Sequence, residues 1–430
     1  MNTVKKMKNI LVLNHESIYP PRNGVQIAIF SMAKLISTKN LVTIFSWGRS
    51  KSYIHTSGNI KIIHVCHGIS NDLLHLASEK HKDSIFLNIF RAFNFSQLGC
   101  ILSTGPHYKT FLKYVDEKFD VIIKVGPDNN KIAQYLSKKY KMPVIDWLLW
   151  VGSPWYIDNL LQWRYFVNDI KDRNFANMNF RIQKLMDYFI TKLEVHNLSR
   201  GLILTVSPLD QMKVKKELPR RNIDYIYPTV IEQDVSNIDE RDKVFMDKYK
   251  PYGIFFTSPE TANTFTIKTL ISLFSEILDI NILIVGGSMH QNLQLPSNIK
   301  IVGYLRDAVF DYTILNALFI VFPLMQGHGI QMKLIKALSY GKPIIATSAI
   351  TKPFSGLTNK KQIIIEDDPN NFREEILEVI KNEQLRNELS KNARTYYEDN
   401  LSNRANLEKI IEFIEKLTDQ NNLSFRKKIK

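Results

Sequence analysis

Between Phe322 and Thr347 the chain sets Gly327, His328 and Gly329 ahead of two cations, Lys333 and Lys336. Glycines let a backbone approach a ligand closely, an imidazole can give or take a proton, and each ammonium carries a positive charge. Together these groups suit an anion such as a phosphate or a carboxylate. The elements that must position them can be read from the flanks. Leu318–Phe322 is an apolar strand, and Ile330–Tyr340 has helical periodicity. Gly341 then stands where a left-handed cap ends a helix, and a second apolar strand, Pro343–Thr347, follows. The result is a βαβ unit with its glycine loop at a helix N-terminus. Unpaired N–H groups and the positive end of the dipole favour negative charge there. An ordinary βα loop with a solvated lysine would have the same pattern without a ligand.

Gly327–Thr347 resembles the donor-binding segment of group 1 glycosyltransferases, retaining enzymes of the GT-B fold that use nucleotide sugars. Ala337, Gly341 and Pro343 match that family's alanine, glycine and proline. The family's two acids, spaced as the ends of E-x7-E, are replaced here by His328 and Lys336. The resemblance implies an α/β fold of two Rossmann-like doubly wound domains facing across a cleft. It places His328 near the reacting sugar as the catalytic candidate. It assigns Gly327, Gly329, Ile330, Lys333 and Lys336 to the donor, with Lys336 at the place of the ribose-gripping carboxylate. A lysine cannot accept two ribose hydroxyl protons, so Lys336 is expected to turn to phosphate or solvent.

Composition bounds the class. The chain has 430 residues, 44% hydrophobic and 23% charged, which is globular and long enough for two or three domains. Its two cysteines, Cys66 and Cys100, form no disulfide framework and no metal-ligand spacing, and suit a reducing compartment. The apolar run near the start, Ile10–Leu13, is a first strand and too short for a signal peptide. No apolar run reaches membrane-spanning length, so a cytoplasmic protein, soluble or peripheral at the membrane, is expected. The net charge is +15, and residues 1–200 hold 27 Lys+Arg against 14 Asp+Glu. Residues 201–430 hold 30 against 28, so the positive field belongs to the first half. Such a field can attract nucleic acid, anionic lipid or a phosphorylated substrate.

Along the first half, strands are expected at Asn9–Leu13, Leu41–Ser46, Ile60–Val65, Asp120–Val125, Pro143–Leu149, Gly201–Val206 and Ile223–Tyr227. Helices are expected at Val25–Ser37, Tyr108–Glu117, Asn129–Tyr140, Pro208–Leu218 and roughly Asn179–Asn197. The strands are β-branched runs with little alternation, as in a parallel sheet covered on both faces. The loop after the first strand lacks the G-x-G-x-x-G of a dinucleotide fold. It holds Pro20, Pro21 and Gly24, where the resembled family has a loop facing the donor diphosphate. Trp147, Trp150, Trp155 and Trp163 mix with Arg164, Lys171, Arg173 and Arg181, either as an interfacial patch or as the lining of a core or acceptor pocket. Residues 231–250 are charge-dense and read as a linker.

The second half restarts with strands at Gly253–Thr257, Ile280–Val285, Asn298–Val302, Leu318–Phe322, Pro343–Thr347 and Gln362–Ile365. Thr261 or Asn263 could cap the helix after the first of them, and Lys268 is the candidate phosphate contact there. Gly303, Tyr304 and Leu305 resemble the family's base-contacting loop, and Asp307 is expected to cap the next helix. Residues 370–417 are helical by periodicity, and the basic end SFRKKIK is expected to fray. The expected domains are an acceptor domain, 1–230; the linker, 231–250; a donor domain, 251–400; and a returning C-terminal helix and tail, 401–430.

The leading reading is a retaining hexosyltransferase acting on a nucleotide sugar and a glycan or lipid-linked acceptor. Its expected partners include an anionic membrane surface and exclude nucleic acid, for which only charge speaks. It needs no cofactor or metal, the sugar nucleotide being a substrate. The replaced acids keep open a non-catalytic relative that binds glycans or forms complexes. A sugar epimerase of the same fold fits the Gly327–Ala337 segment less well.

Overall fold

The computed structural model describes residues 7–14, 17–21, 24–48, 51–66, 108–115, 117–126, 130–149, 198, 201–230, 238–256, 262–286, 294–324 and 330–429. The chain divides into two units. Met1–Ser153, Asn177–Pro228 and Leu407–Lys430 form the first, and Pro154–Ala176 with Thr229–Asn406 the second.

The first unit is built on an eight-stranded sheet: β1 (Asn9–Asn14), β2 (Leu41–Gly48), β3 (Tyr53–Ser57), β4 (Ile60–Cys66), β5 (Val121–Val125), β6 (Val144–Leu148), β7 (Leu202–Thr205) and β8 (Ile223–Tyr225). Their spatial order is β3-β4-β2-β1-β5-β6-β7-β8. The described helices between them are α1 (Gly24–Ser37), α2 (Tyr108–Tyr114), α3 (Asn130–Tyr140) and α4 (Pro208–Glu217). β5, β6 and β7 are buried along their whole length, which is why they read as unbroken apolar runs. The order reverses between β1 and β5, the place where open α/β sheets bind ligands at the strands' C-terminal ends.

One strand escapes the sequence pattern. β3 pairs antiparallel with β4, with Tyr53 opposite His64. It lies at the sheet edge and is largely exposed, so it has no apolar run to announce it.

The register sets Leu13, Lys124, Asp146 and Ile203 side by side on one face. Phe111 of α2 and Ile132 and Leu136 of α3 pack on that face with Leu11, Leu13, Ile122 and Val144. Val214 of α4 packs further along it against Ile203 and Ile223. Within this layer Lys124 Nζ lies 2.7 Å from Asp146 Oδ1, and both side chains are buried. Trp147, one residue on, is 2% exposed. It belongs to the interior and not to an interfacial patch. Its indole offers a large apolar surface, and the sheet register points it inward. Trp150, Trp155 and Trp163, the cations grouped with them, the helix expected near Asn179–Asn197, and Cys100 lie outside the described residues.

The second unit has six parallel strands, β9 (Tyr252–Phe256), β10 (Asn281–Val285), β11 (Ile299–Gly303), β12 (Phe319–Phe322), β13 (Ile344–Ala346) and β14 (Ile364–Ile365). Their order, β11-β10-β9-β12-β13-β14, is that of a Rossmann sheet, and it reverses between β9 and β12. Its helices are α5 (Glu240–Asp247), α6 (Ala262–Phe274), α7 (Asp307–Asn316), α8 (Met332–Ser339), α9 (Ser348–Thr351), α10 (Pro369–Lys381) and α11 (Glu383–Asn400). The charge-dense stretch read as a linker thus contains α5, capped by Asp239. α5 packs on α7, where Tyr312 donates to Asp247 at 3.0 Å and Arg306 pairs with Asp242.

The last helix, α12 (Asn403–Ile429), belongs to the first unit from Leu407 onward. There Lys409 sits 3.4 Å from Asp224 and 3.9 Å from the Tyr225 ring centre, and Lys8 donates to Thr418. The basic end is therefore a continuation of this helix through Ile429 and not a frayed tail.

Candidate functional site

The site in the second unit is assembled at the C-terminal ends of β9 and β12, where the strand order reverses. The elements beneath it are tied together by side-chain contacts. Phe256, Phe310 and Phe322 form an edge-to-face group, with centroids 4.9 and 5.7 Å apart, that ties the two strand ends to α7. Thr347 is buried and donates its hydroxyl to the Leu324 carbonyl, joining the loop after β12 to the end of β13.

α8 begins at this edge. Its N-cap is Gln331, which makes no side-chain cap hydrogen bond. By contrast α4, α5, α10 and α11 are capped by the side chains of Ser207, Asp239, Asp368 and Asn382. At neighbouring α9 the Ser348 N–H is met by Asp367 Oδ1 at 2.8 Å. The first N–H groups of α8 therefore receive no such carboxylate, hydroxyl or amide from their own cap, which suits them to an anion. Ile330 precedes the cap and Lys333 is the second helical residue, half-buried in the first turn. Gly327, His328 and Gly329 lie outside the described residues.

The helix ends as its glycine predicts. Gly341 has φ +59°, and a Cβ there would sit 2.9 Å from Arg394 Cβ and 3.0 Å from the Ser390 carbonyl oxygen. Both the backbone conformation and the close approach of α11 demand glycine. Lys342, next in the chain, is buried enough to push its ammonium down to about 8.

Lys336 is not turned to phosphate or to solvent. Its Nζ lies 2.7 Å from Asp311 Oδ1, with 15% of the lysine side chain and 1% of the aspartate exposed. The ammonium also stands 5.2 Å from the Tyr340 ring centre, one turn further on. Asp311 points from α7 into a layer that excludes water, so its charge demands a partner, and Lys336 supplies it. Reasoning from the segment alone could not find this partner, which is 25 residues away in sequence.

Gly303 and Tyr304 stand at the end of β11. Gly303 has φ +75° and its carbonyl accepts from the Gly286 N–H at 2.7 Å, closing β10 and β11 at the same edge. Tyr304 is 78% exposed there. Asp307 does not cap α7. It is the first helical residue, and Arg306 is the N-cap without a side-chain bond. Its carboxylate complements the helix dipole instead. Asn263 is the second residue of α6, past the cap position, and Thr261 lies outside the described residues. Lys268 is exposed and six residues past the start of α6, about 9 Å along the axis at ~1.5 Å per residue, so it is not placed at the β9 end. Gly24 opens α1 in the first unit and is exposed.

Residues 252–382 match the family described as "Glycosyl transferases group 1". Comparison with curated proteins by sequence gives no match. Among solved structures, sucrose-phosphate synthase from Thermosynechococcus elongatus aligns with TM-score 0.65 at 12% identity, covering 96% of this chain and 100% of the other. HepE of Anabaena, solved with UDP, aligns with TM-score 0.58 at 12% identity over 95% and 100%. A glycosyltransferase from Rickettsia africae aligns with TM-score 0.57 at 15% identity over 96% and 98%. Two parallel-sheet units, the Rossmann strand order of the second and the likeness to these solved structures lead to one conclusion: the chain has the GT-B fold, and its residues 252–382 match the group 1 glycosyltransferase family.

Proposed function

We propose that this protein is a retaining hexosyltransferase that moves a sugar from a nucleotide-sugar donor to a glycan or lipid-linked acceptor. The observation that carries the reading is the start of α8, free of a side-chain cap, at the strand-order reversal of the second sheet. A diphosphate set there would meet backbone N–H groups, the positive helix end and Lys333. As the sugar leaves, charge grows on the diphosphate, and preset donors stabilise that charge without reorganising. The acceptor hydroxyl attacks the anomeric carbon on the leaving-group face, its proton passing to the diphosphate, and the configuration is kept. Support comes from relatives of the same fold: HepE is solved with UDP and UDP-glucose, and an E. coli trehalose-6-phosphate protein with UDP-2-fluoro glucose.

In this reading 251–400 is the donor domain, 1–230 the acceptor domain, 231–250 the connection and 401–430 the returning helix and tail. His328 acts near the sugar, while Gly303 and Tyr304 frame the base and Gly24 the diphosphate. Among the described residues no helix is long and apolar enough to cross a membrane. The protein works in the cytoplasm, attached peripherally to the membrane. Calorimetry against UDP, GDP and ADP tests the donor site, with one of them expected to bind. Product NMR then reads the anomeric configuration. A folded protein that binds no nucleoside diphosphate would overturn the reading.

A further inference from the structure

The described helices on one face of the first sheet end at the same edge. α2, α3 and α4 run into β5, β6 and β8, so their C-terminal ends lie along the N-terminal ends of the strands. That edge is opposite the one at which open sheets hold ligands. Exposed cations line it: Lys39 just before β2, Lys118 before β5, Lys138, Lys139 and Lys141 before β6, and Lys216 and Arg220 before β8. At about 4.8 Å per strand, the row from β2 to β8 spans roughly 24 Å. Among the described residues the acids at this edge are largely engaged. Glu117 is held by Lys61 at 2.6 Å, and Asp120 accepts from the Asn9 N–H at 2.8 Å. Asp224 is held by Lys409, which leaves Glu217 and, on α12 beside Thr418, Asp419.

Cations at helix C-termini complement the helix dipoles and need no ligand to explain them. That account does not cover the apolar side chains interleaved with them. Met7, Leu41, Tyr114 and Tyr140 are 42%, 44%, 41% and 44% exposed, each within two residues of a strand start at this edge or at the end of a helix that leads into it. Basic residues alternating with exposed apolar and aromatic ones suit the headgroup region of an anionic bilayer. The cations are nearly all lysines, compact charges without the bidentate fork that reads nucleic-acid bases. α12 reaches the same edge, where Lys8 meets Thr418, and then continues through a stretch whose sequence holds Arg426, Lys427 and Lys428.

We propose that the N-terminal edge of the first sheet docks on a bilayer bearing anionic lipid. The strands' C-terminal ends then face away from the headgroups, about 20 Å off for a six-residue strand at ~3.4 Å per residue. This orientation favours an acceptor hydroxyl on a glycan that reaches out from the surface. The proposal rests on the peripheral attachment given above and is independent of the transfer chemistry.

The test is sedimentation of the full chain with vesicles of phosphatidylcholine alone or with one-third phosphatidylglycerol, at 50 and 500 mM NaCl. Binding is expected only with the anionic lipid and is expected to be lost at the higher salt. K138E/K139E/K141E should lower partitioning by at least 100-fold, since each lysine near the surface contributes roughly fivefold. K352E/K381E/K391E, an equal charge change on exposed lysines of the second unit, should leave most of the binding. In Tyr140→Trp, added fluorescence quenched by brominated lipid would report insertion. Equal losses in the two triple variants, no binding at low salt, or displacement from vesicles by RNA at equal charge concentration would each overturn the proposal. Nucleoside diphosphate titration of the same variants checks their folding and tests the donor site separately.

Discussion

Lys336 Nζ sits 2.7 Å from Asp311 Oδ1, so the side chain standing at the family's second acidic position is the counter-ion of a buried aspartate on another helix. The pair holds α8 to α7 under the edge where the donor is proposed to bind. A lysine engaged in this way is a structural cation first.

This decides the outcome of Lys336→Glu. A glutamate would bring a second carboxylate against buried Asp311, and breaking a buried pair costs about 3–5 kcal/mol. Chemical denaturation should show that loss, and nucleotide affinity should not improve. K336M/D311L should recover most of the stability, because an apolar pair replaces an ionic one at little net cost. A stable K336E variant with tighter nucleotide binding would show the pair to be unimportant.

Lys333 lies in the first turn of α8, at the proposed diphosphate position. Lys333→Ala should weaken nucleoside diphosphate binding by ~1–3 kcal/mol with little change in melting temperature, as for the loss of a charged hydrogen bond. Calorimetry reads the affinity. Unchanged affinity in a folded variant would remove Lys333 from the site.

Gly341→Ala meets two obstacles, a left-handed backbone and the α11 backbone at 3.0 Å. Strain of ~1–3 kcal/mol follows, since the Ser390 carbonyl cannot swing aside as a side-chain tip could. The melting temperature should fall by several degrees, with donor affinity falling as the end of α8 shifts.

Lys342 links stability to alkaline pH. Burial lowers its ammonium from the ordinary 10.5 to about 8. Between those values the unfolded chain binds more protons than the folded one, so stability rises as pH climbs from 8 to 10.5. Below pH 8 the full cost of burying the charge is present, at most ~3–4 kcal/mol for a fall from 10.5 to about 8 and less where solvent still reaches the ammonium. Lys342→Met should be the more stable protein at pH 7 by up to that amount, and the gap should close by pH 10.5. Denaturant melts at both pH values measure it.

Much of the architecture was legible in the chain itself. Buried parallel strands are unbroken apolar runs, and β5, β6 and β12 could be placed within a residue or two because burial on both faces leaves no alternation to misread. Gly341 announced its cap because the left-handed residue that ends a helix favours the one residue without a Cβ. Ser207 caps α4 through a contact equally short in range, to the Asp210 N–H three residues on. These features depend on neighbours in sequence.

What only the tertiary structure decided depends on distant ones. β3 is an edge strand specified by its pairing with β4 and not by its own hydrophobicity. Trp147 could have faced either way until the register buried it. Lys336 carried a positive charge in either reading, but whether that charge served a ligand or a helix turned on Asp311, a residue 25 positions away that folding brings to 2.7 Å. A side chain's type determines what it can bond to; which partner it meets is set by the packing of elements, which the local sequence does not encode.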